Sequence, residues 1–311
     1  MSAGGCSQCT GTIKNTGYPV TGVFGLTKGK GFMQLVANDG TRNSIDPFSA
    51  TLEQDILDAV NNPDPSKRLY LFTNINNASA PQADANYANT DLNERFKTSE
   101  GITNVMWEQW GVSNQFYAKV QSQCVAFGEY EIDICGNFKG QLESDNLLYP
   151  RPVNKDSYDA KFMPATATEK SRVMFNYDYE YTTSDANQWY IQFTEFGANN
   201  PLNLKSLIDV VLDITVVNAT DLTITASFDY GYANSRIPWV GALAADIAGA
   251  NLTTPASFAL TSLTPTATDG TYDAVIPAQT TSDSCTLKAF KAATSTLVNG
   301  YESIATPFTA A

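Results

Sequence analysis

Apolar residues occupy every second position in two runs of the C-terminal third: Ile208, Val210, Leu212, Ile214, Val216, and then Leu222, Ile224, Ala226, Phe228. A period of two is that of a half-buried β-strand. Turn-forming residues punctuate the runs. Asn218 to Asp221 links the first two, Pro265 to Gly270 leads into Thr271 to Ile276, and Gln279 to Asp283 precedes Cys285 to Phe290. Short strands at this spacing predict an immunoglobulin-like β-sandwich over residues 208–311.

The first two thirds read as glycine-punctuated strands with a helix or two. Gly17–Gly25 and Gly31–Ala37 are expected strands, the second closed by the turn Asn38-Asp39-Gly40. A helix follows, with Asp46 as cap, Pro47 at its first position, Leu52, Ile56, Leu57 and Val60 on one face, and Asn61-Asn62-Pro63 as its stop. Arg68–Phe72 is the next expected strand, Ser113–Val120 a short helix, and Phe127–Ile134 a strand returning as Phe138–Leu142 across Gly136-Asn137. Val173–Tyr181 and Gln188–Thr194 are read as a further strand pair joined through Thr182 to Asn187. Between Thr73 and Gly101 the sequence is polar, asparagine-rich and free of periodicity. That is too long for an ordinary connection, so the segment is either disordered or an arm that orders against a neighbour.

Length makes these patterns two domains: 311 residues, divided at 207/208, with enough apolar content (43%) to build a core in each. The fold class is therefore mainly β, an N-terminal β domain with flanking helices followed by the immunoglobulin-like sandwich. No apolar run approaches eighteen residues, and Met1 to Cys6 is neither basic nor apolar, so neither a membrane span nor a secretory leader is expected. The formal charge of −13 is shared evenly, with nine acids against three bases in residues 208–311 and 23 against 16 in residues 1–207. Both halves repel a phosphate backbone, which disfavours nucleic-acid binding and suits a wall past which DNA slides.

The candidate chemistry is sparse. The chain has no histidine, which removes the side chain best suited to proton transfer near neutrality and the commonest metal ligand. No phosphate-binding loop, dinucleotide fingerprint, zincin motif or EF-hand loop occurs. Cys6 and Cys9 form a lone CxxC without a second pair. Cys124 and Cys135 flank a strand of ~8 residues, which would hold them about 26 Å apart, too far for a disulfide. A four-thiolate site from these cysteines is set against inert thiols, and the second is expected.

Glu129, Glu131 and Asp133 alternate along one strand and are expected on its solvated outer face; as an acid–base pair, Glu129 or Glu131 would suit a carboxylate glycoside hydrolase. Asp178 with Glu180, and Asp209 with Asp213, are calcium-type pairs lacking the glycine turn of a committed site, so a solvated surface is expected for both. Sequons at Asn77, Asn218 and Asn251 carry no implication in a chain this rich in Asn and Thr. Aromatics are plentiful, with Trp107, Trp110, Phe116 and Tyr117 among them, and Phe175, Tyr177, Tyr179 and Tyr181 share one strand face and are expected in a core or subunit contact rather than as a sugar platform. No catalytic, cofactor-binding or metal residue is assigned.

Four segments carry a resemblance: Asn61–Tyr70, Lys119–Tyr130, Gly136-Asn137-Phe138-Lys139-Gly140 and Leu147–Pro150, with the turn Asp269-Gly270-Thr271-Tyr272 further on. From about residue 20 to about residue 275 the chain resembles virion structural proteins of tailed bacteriophages, with a lean toward the major tail, or tail-tube, class. That resemblance implies a β-sandwich with a flanking helix that assembles into rings, stacking of the rings into a tube that conducts DNA without binding it, and an outward immunoglobulin-like domain. The partners implied are further copies of the chain and other virion proteins, the location is the virion, and the role is mechanical rather than enzymatic. A capsid decoration, a tail-tip component or a host-surface-binding protein is the alternative.

Overall fold

Strands form where the period-2 runs place them, and the interrupting residues set where the chain turns. The computed structural model describes residues 25–311 apart from 82, 85, 90–94, 100, 113, 122–123, 181–188, 193–199, 205, 230–235 and 294–299. The chain is mainly β, as the patterns predict. It divides into two units, Met1–Leu204 and Lys205–Ala311, set against an expected division at 207/208. The expected strand Gly17–Gly25 lies outside the described residues except for Gly25.

The first unit runs β1 (Thr27–Gln34), α1 (Leu52–Val60), β2 (Tyr70–Thr73), β3 (Asn76–Ser79), β4 (Asn86–Asn89), β5 (Arg95–Ser99), β6 (Asn104–Trp110), α2 (Asn114–Val120), β7 (Phe127–Asp133), β8 (Phe138–Leu142), β9 (Leu148–Tyr149), β10 (Arg151–Pro152), β11 (Asp159–Met163), β12 (Arg172–Asp178) and β13 (Trp189–Gln192). One sheet has the order β13-β8-β7-β1-β2, with β9 on β8 and β10 on β7; a second has the order β11-β12-β6-β3.

Strand β7 is buried along its whole length, which fixes the layering. Tyr130 and Ile132 join Leu52, Ile56 and Val60 of α1 in one core, while Phe127 joins Trp107, Val173, Phe175 and Tyr177 in another. The larger sheet thus has the helix on one face and the smaller sheet on the other. Asn74, at φ 58°, makes the bend by which the chain leaves β2 in the first sheet for β3 in the second, a conformation asparagine tolerates.

Two expectations change. The helix begins at Leu52 rather than beside Asp46, because Asp46 Oδ1 accepts from Phe48 N at 2.9 Å and holds those residues in a turn that competes with the helix. β12 and β13 do not pair. Both edges of β12 are taken, by β11 and β6, so β13 completes the other sheet against β8.

The segment 73–101 is largely regular. β3 pairs with β6, Asn104 N donates to Pro81 O at 3.1 Å, Ala83 N donates to Ile102 O at 2.9 Å, and β4 pairs with β5, so the two chain directions remain hydrogen-bonded as one ribbon. Its residues from Asn77 to Pro81, and Ala83, Asp84, Asn86 and Tyr87 beyond them, are exposed. Exposed residues such as these need no apolar alternation, and this is why no pattern announces that stretch.

The second unit comprises β14 (Leu207–Val216), β15 (Asp221–Phe228), β16 (Ile247–Asn251), β17 (Ala256–Ala259), β18 (Ser262–Pro265), β19 (Thr271–Val275), β20 (Ser284–Lys291), β21 (Gly300–Ser303) and β22 (Thr306–Thr309). One layer is β14-β15-β19-β18 and the other β17-β16-β20-β22, with β21 running parallel to β14 and antiparallel to β20 between them. Val210, Leu212, Leu222, Ile224 and Tyr272 from one layer meet Ile247, Cys285, Leu287, Ala289 and Phe308 from the other. This is the strand arrangement of an immunoglobulin-type sandwich. Among the described residues no helix is long and apolar enough to cross a membrane.

Candidate functional site

The acidic residues of β7 do not face water. Glu129 and Asp133 are 0% exposed and Glu131 7%. The expectation of a solvated face is overturned because the odd-numbered side of β7 lies against the smaller sheet, where charged and hydroxyl groups await it. Lys30, 1% exposed, stands directly opposite Glu131 in the β1–β7 register, with Glu129 one pleat along, opposite Phe32. Tyr177 and Tyr179, two residues apart on and just past β12, point in from the other sheet.

Together these side chains form one hydrogen-bonded group. Lys30 Nζ contacts Glu129 Oε1 directly and lies 3.2 Å from Glu131 Oε1. Tyr177 OH donates to Glu129 Oε2, and Tyr179 OH donates to Glu129 Oε1 at 2.7 Å. Lys139 Nζ reaches Glu131 Oε2 at 3.3 Å from β8. Behind them, Trp107 Nε1 donates to Tyr177 OH at 3.0 Å and stacks on Phe175, while the Arg151 guanidinium sits 3.9 Å from the centre of the Tyr179 ring.

The electrostatics are self-consistent. Burial drags the Lys30 ammonium down, but Glu129 and then Glu131 overcome it and hold the group above its ordinary value. Burial pushes Glu131 up, yet Lys30 and Lys139 prevail and bring its carboxyl to about 2. Tyr177 and Tyr179 are raised well above the usual phenol range, by burial first and by the Glu129 charge second, so both remain hydroxyl donors. Within the hydrogen-bonded set two ammonium groups balance two carboxylates, and all four carboxylate oxygens receive a donor. Each carboxylate is thereby directed at a neighbouring side chain of its own unit.

Other candidates are structural or lie elsewhere. Asp133 Oδ1 accepts from Cys135 N and Asn137 N at 2.8 and 2.9 Å, and its Oδ2 from Gly25 N at 3.1 Å, which ties the β7–β8 turn together. Glu180, Asp209 and Asp213 are exposed, and Asp178 is half-buried with Asn104 Nδ2 at 2.9 Å. Among the described residues Cys124, Cys135 and Cys285 form no disulfide with one another, and Cys6 and Cys9 lie outside the described residues, as does Tyr181. Among the described residues, no group of three or more His, Cys, Asp or Glu is placed to hold a metal ion. Phe175, Tyr177, Tyr179 and Trp107 are core residues, but Trp110 is 38% exposed at the base of the ribbon. Of the sequon residues, Asn251 is buried and fully engaged, its Nδ2 on Gln279 and Asp283 and its Oδ1 accepting from Thr253 N and Thr254 N.

Two features face outward. The ribbon of β4 and β5 pairs with neither larger sheet, and Gly101 is required in it because a Cβ there would lie 1.6 Å from Ala83 O. In the second unit, Trp239 is buried, with its carbonyl accepting from Tyr272 OH at 2.6 Å. The loop it anchors presents Ile237, Val240 and Leu243 at 51%, 65% and 60% exposure. No family model, no curated protein and no solved structure matches this chain.

Proposed function

We propose that this chain is a structural subunit of a bacteriophage virion that self-assembles, with stacked rings of a tail tube as the form that best accounts for its features. The observation that carries the reading is the exposed ribbon built on β3 and β6. A two-stranded ribbon that joins neither larger sheet is marginal by itself, and pairing with another chain would stabilise it. A second copy supplies that partner in a heterologous, ring- or stack-forming contact. The resemblance of residues 61–70, 119–130, 136–140 and 147–150 to virion structural proteins of tailed bacteriophages, with its lean toward the tail-tube class, supports the same reading. So does the net charge of −13, which keeps a phosphate backbone from adhering to a conducting wall.

A capsid-decoration or host-binding role is favoured by one observation, the apolar loop of Ile237, Val240 and Leu243 at one end of the sandwich. Electron microscopy and sedimentation of the purified full chain discriminate. Rings or tubes are expected; a monomer at every concentration tested, with the ribbon folded on its own unit, would sink the assembly reading.

A further inference from the structure

Lys30 and Glu129 hold every component of an amide-forming reaction between them, and we infer that they condense into an isopeptide bond that staples β1 to β7. The nucleophile is Lys30 Nζ and the electrophile is the Glu129 carboxyl carbon, whose Oε1 the amine contacts. Both side chains are sealed between the sheets, at 1% and 0% exposure. Holding them as neighbours turns an encounter into an intramolecular step, and exclusion of water disfavours the reverse hydrolysis.

Three further groups complete the site. Glu131 Oε1, 3.2 Å from the same nitrogen, is placed to accept a proton from the attacking amine. Tyr177 OH on Oε2 and Tyr179 OH on Oε1 donate to the two carboxyl oxygens, so a donor stands at the oxygen that becomes the oxyanion of the tetrahedral intermediate while the other, protonated, departs. Trp107 Nε1 donates to Tyr177 OH, which leaves the Tyr177 proton directed at Glu129.

The step balances within the ion pair. One ammonium proton passes to the Glu129 carboxylate, giving a free amine and a carboxylic acid. Nζ then attacks the carboxyl carbon and forms the C–N bond. Glu131 takes a second proton from that nitrogen and delivers it to the departing hydroxyl as the C–O bond breaks. One water leaves, the amide keeps the third hydrogen, and Glu131 is again a carboxylate. Charge is conserved in place: Lys30 and Glu129 lose theirs together, and Lys139 remains opposite Glu131. The buried ion pair, which is costly to desolvate, is replaced by a neutral group. The bond joins positions 99 residues apart and prevents β1 from peeling off β7 under load. It is independent of the assembly reading.

Intact mass of the purified, denatured wild-type chain is expected to fall one water, about 18 Da, below the sequence mass. Trypsin should leave Lys30 uncut, inside a branched peptide joined to the one that contains Glu129. Lys30→Arg, which keeps the cation but lacks the primary amine, should show its own full sequence mass, and Glu131→Gln should leave a larger uncondensed fraction than wild type. Wild-type chains at full mass and cleaved after Lys30, or a water loss mapped to another position, would overturn the inference. Because the decisive readout is on the unfolded wild-type chain, it does not depend on any variant folding.

Discussion

Glu129 has donors on both of its oxygens, yet nothing in the local sequence marks it as different from a surface glutamate. Alternating carboxylates on a strand look the same whether the neighbouring layer is water or a second sheet; what decides is Lys30, nearly a hundred residues away, and the pair Tyr177 and Tyr179. The inward period of those tyrosines was legible, and their destination was not, because strand partners are a long-range property. Removing the cation tests the balance. Lys30→Met leaves the Glu129 carboxylate without a cation in a dry site, while Glu131 keeps Lys139, and is expected to cost about 3–5 kcal/mol, read as a lowered urea midpoint. Acid should act through Glu131. Its folded value of about 2 lies below its ordinary 4.5, so it contributes stability that is complete above that ordinary value and disappears as pH falls toward 2. The loss is of the order of 3 kcal/mol while Lys30 is still an ammonium. Lys139 stays beside Glu131 after condensation, which preserves the direction. Urea midpoints followed from neutral pH downward should decline through that window, and Glu131→Gln should flatten the decline.

Elements with one wet face and one dry face were readable, and elements that break this rule were not. β14 and β15 keep Val210, Leu212, Leu222, Ile224 and Ala226 on the core side in register, as their alternation predicts. β7 is dry on both faces, so its polar half misleads; the described residues of the ribbon from Asn77 to Tyr87 are exposed, so they carry no apolar pattern. Helix α1 shows a milder case, with its buried stripe of Leu52, Ile56 and Val60 correct and its start displaced by the Asp46 turn. The ribbon can be attacked at one atom. Gly101→Val forces a side chain into the carbonyl of Ala83, which should unpair the ribbon while leaving both cores intact. The expected outcome is a chain with near wild-type melting temperature that has lost higher assemblies in sedimentation. An unchanged assembly profile would remove the ribbon from the contact.

At the scale of the whole chain, each unit carries its own hydrophobic core. Among the described residues the core of the second unit is built from residues between β14 and β22, and polar anchors such as Asn251 on Gln279 and Asp283 and Tyr272 on Trp239 are internal. A unit whose apolar and polar needs are met from within folds by itself. Residues 205–311 expressed alone are therefore expected to give a dispersed amide spectrum and one cooperative unfolding transition. The complementary fragment, residues 1–204, retains the ribbon, both sheets of the first unit and the Lys30–Glu129 contact. If assembly is the work of that unit, the fragment should form the same rings or tubes as the full chain in electron micrographs. Should only the full chain assemble, the contact surface would have to include the sandwich, and the apolar loop of Ile237, Val240 and Leu243 would become the first place to look for it.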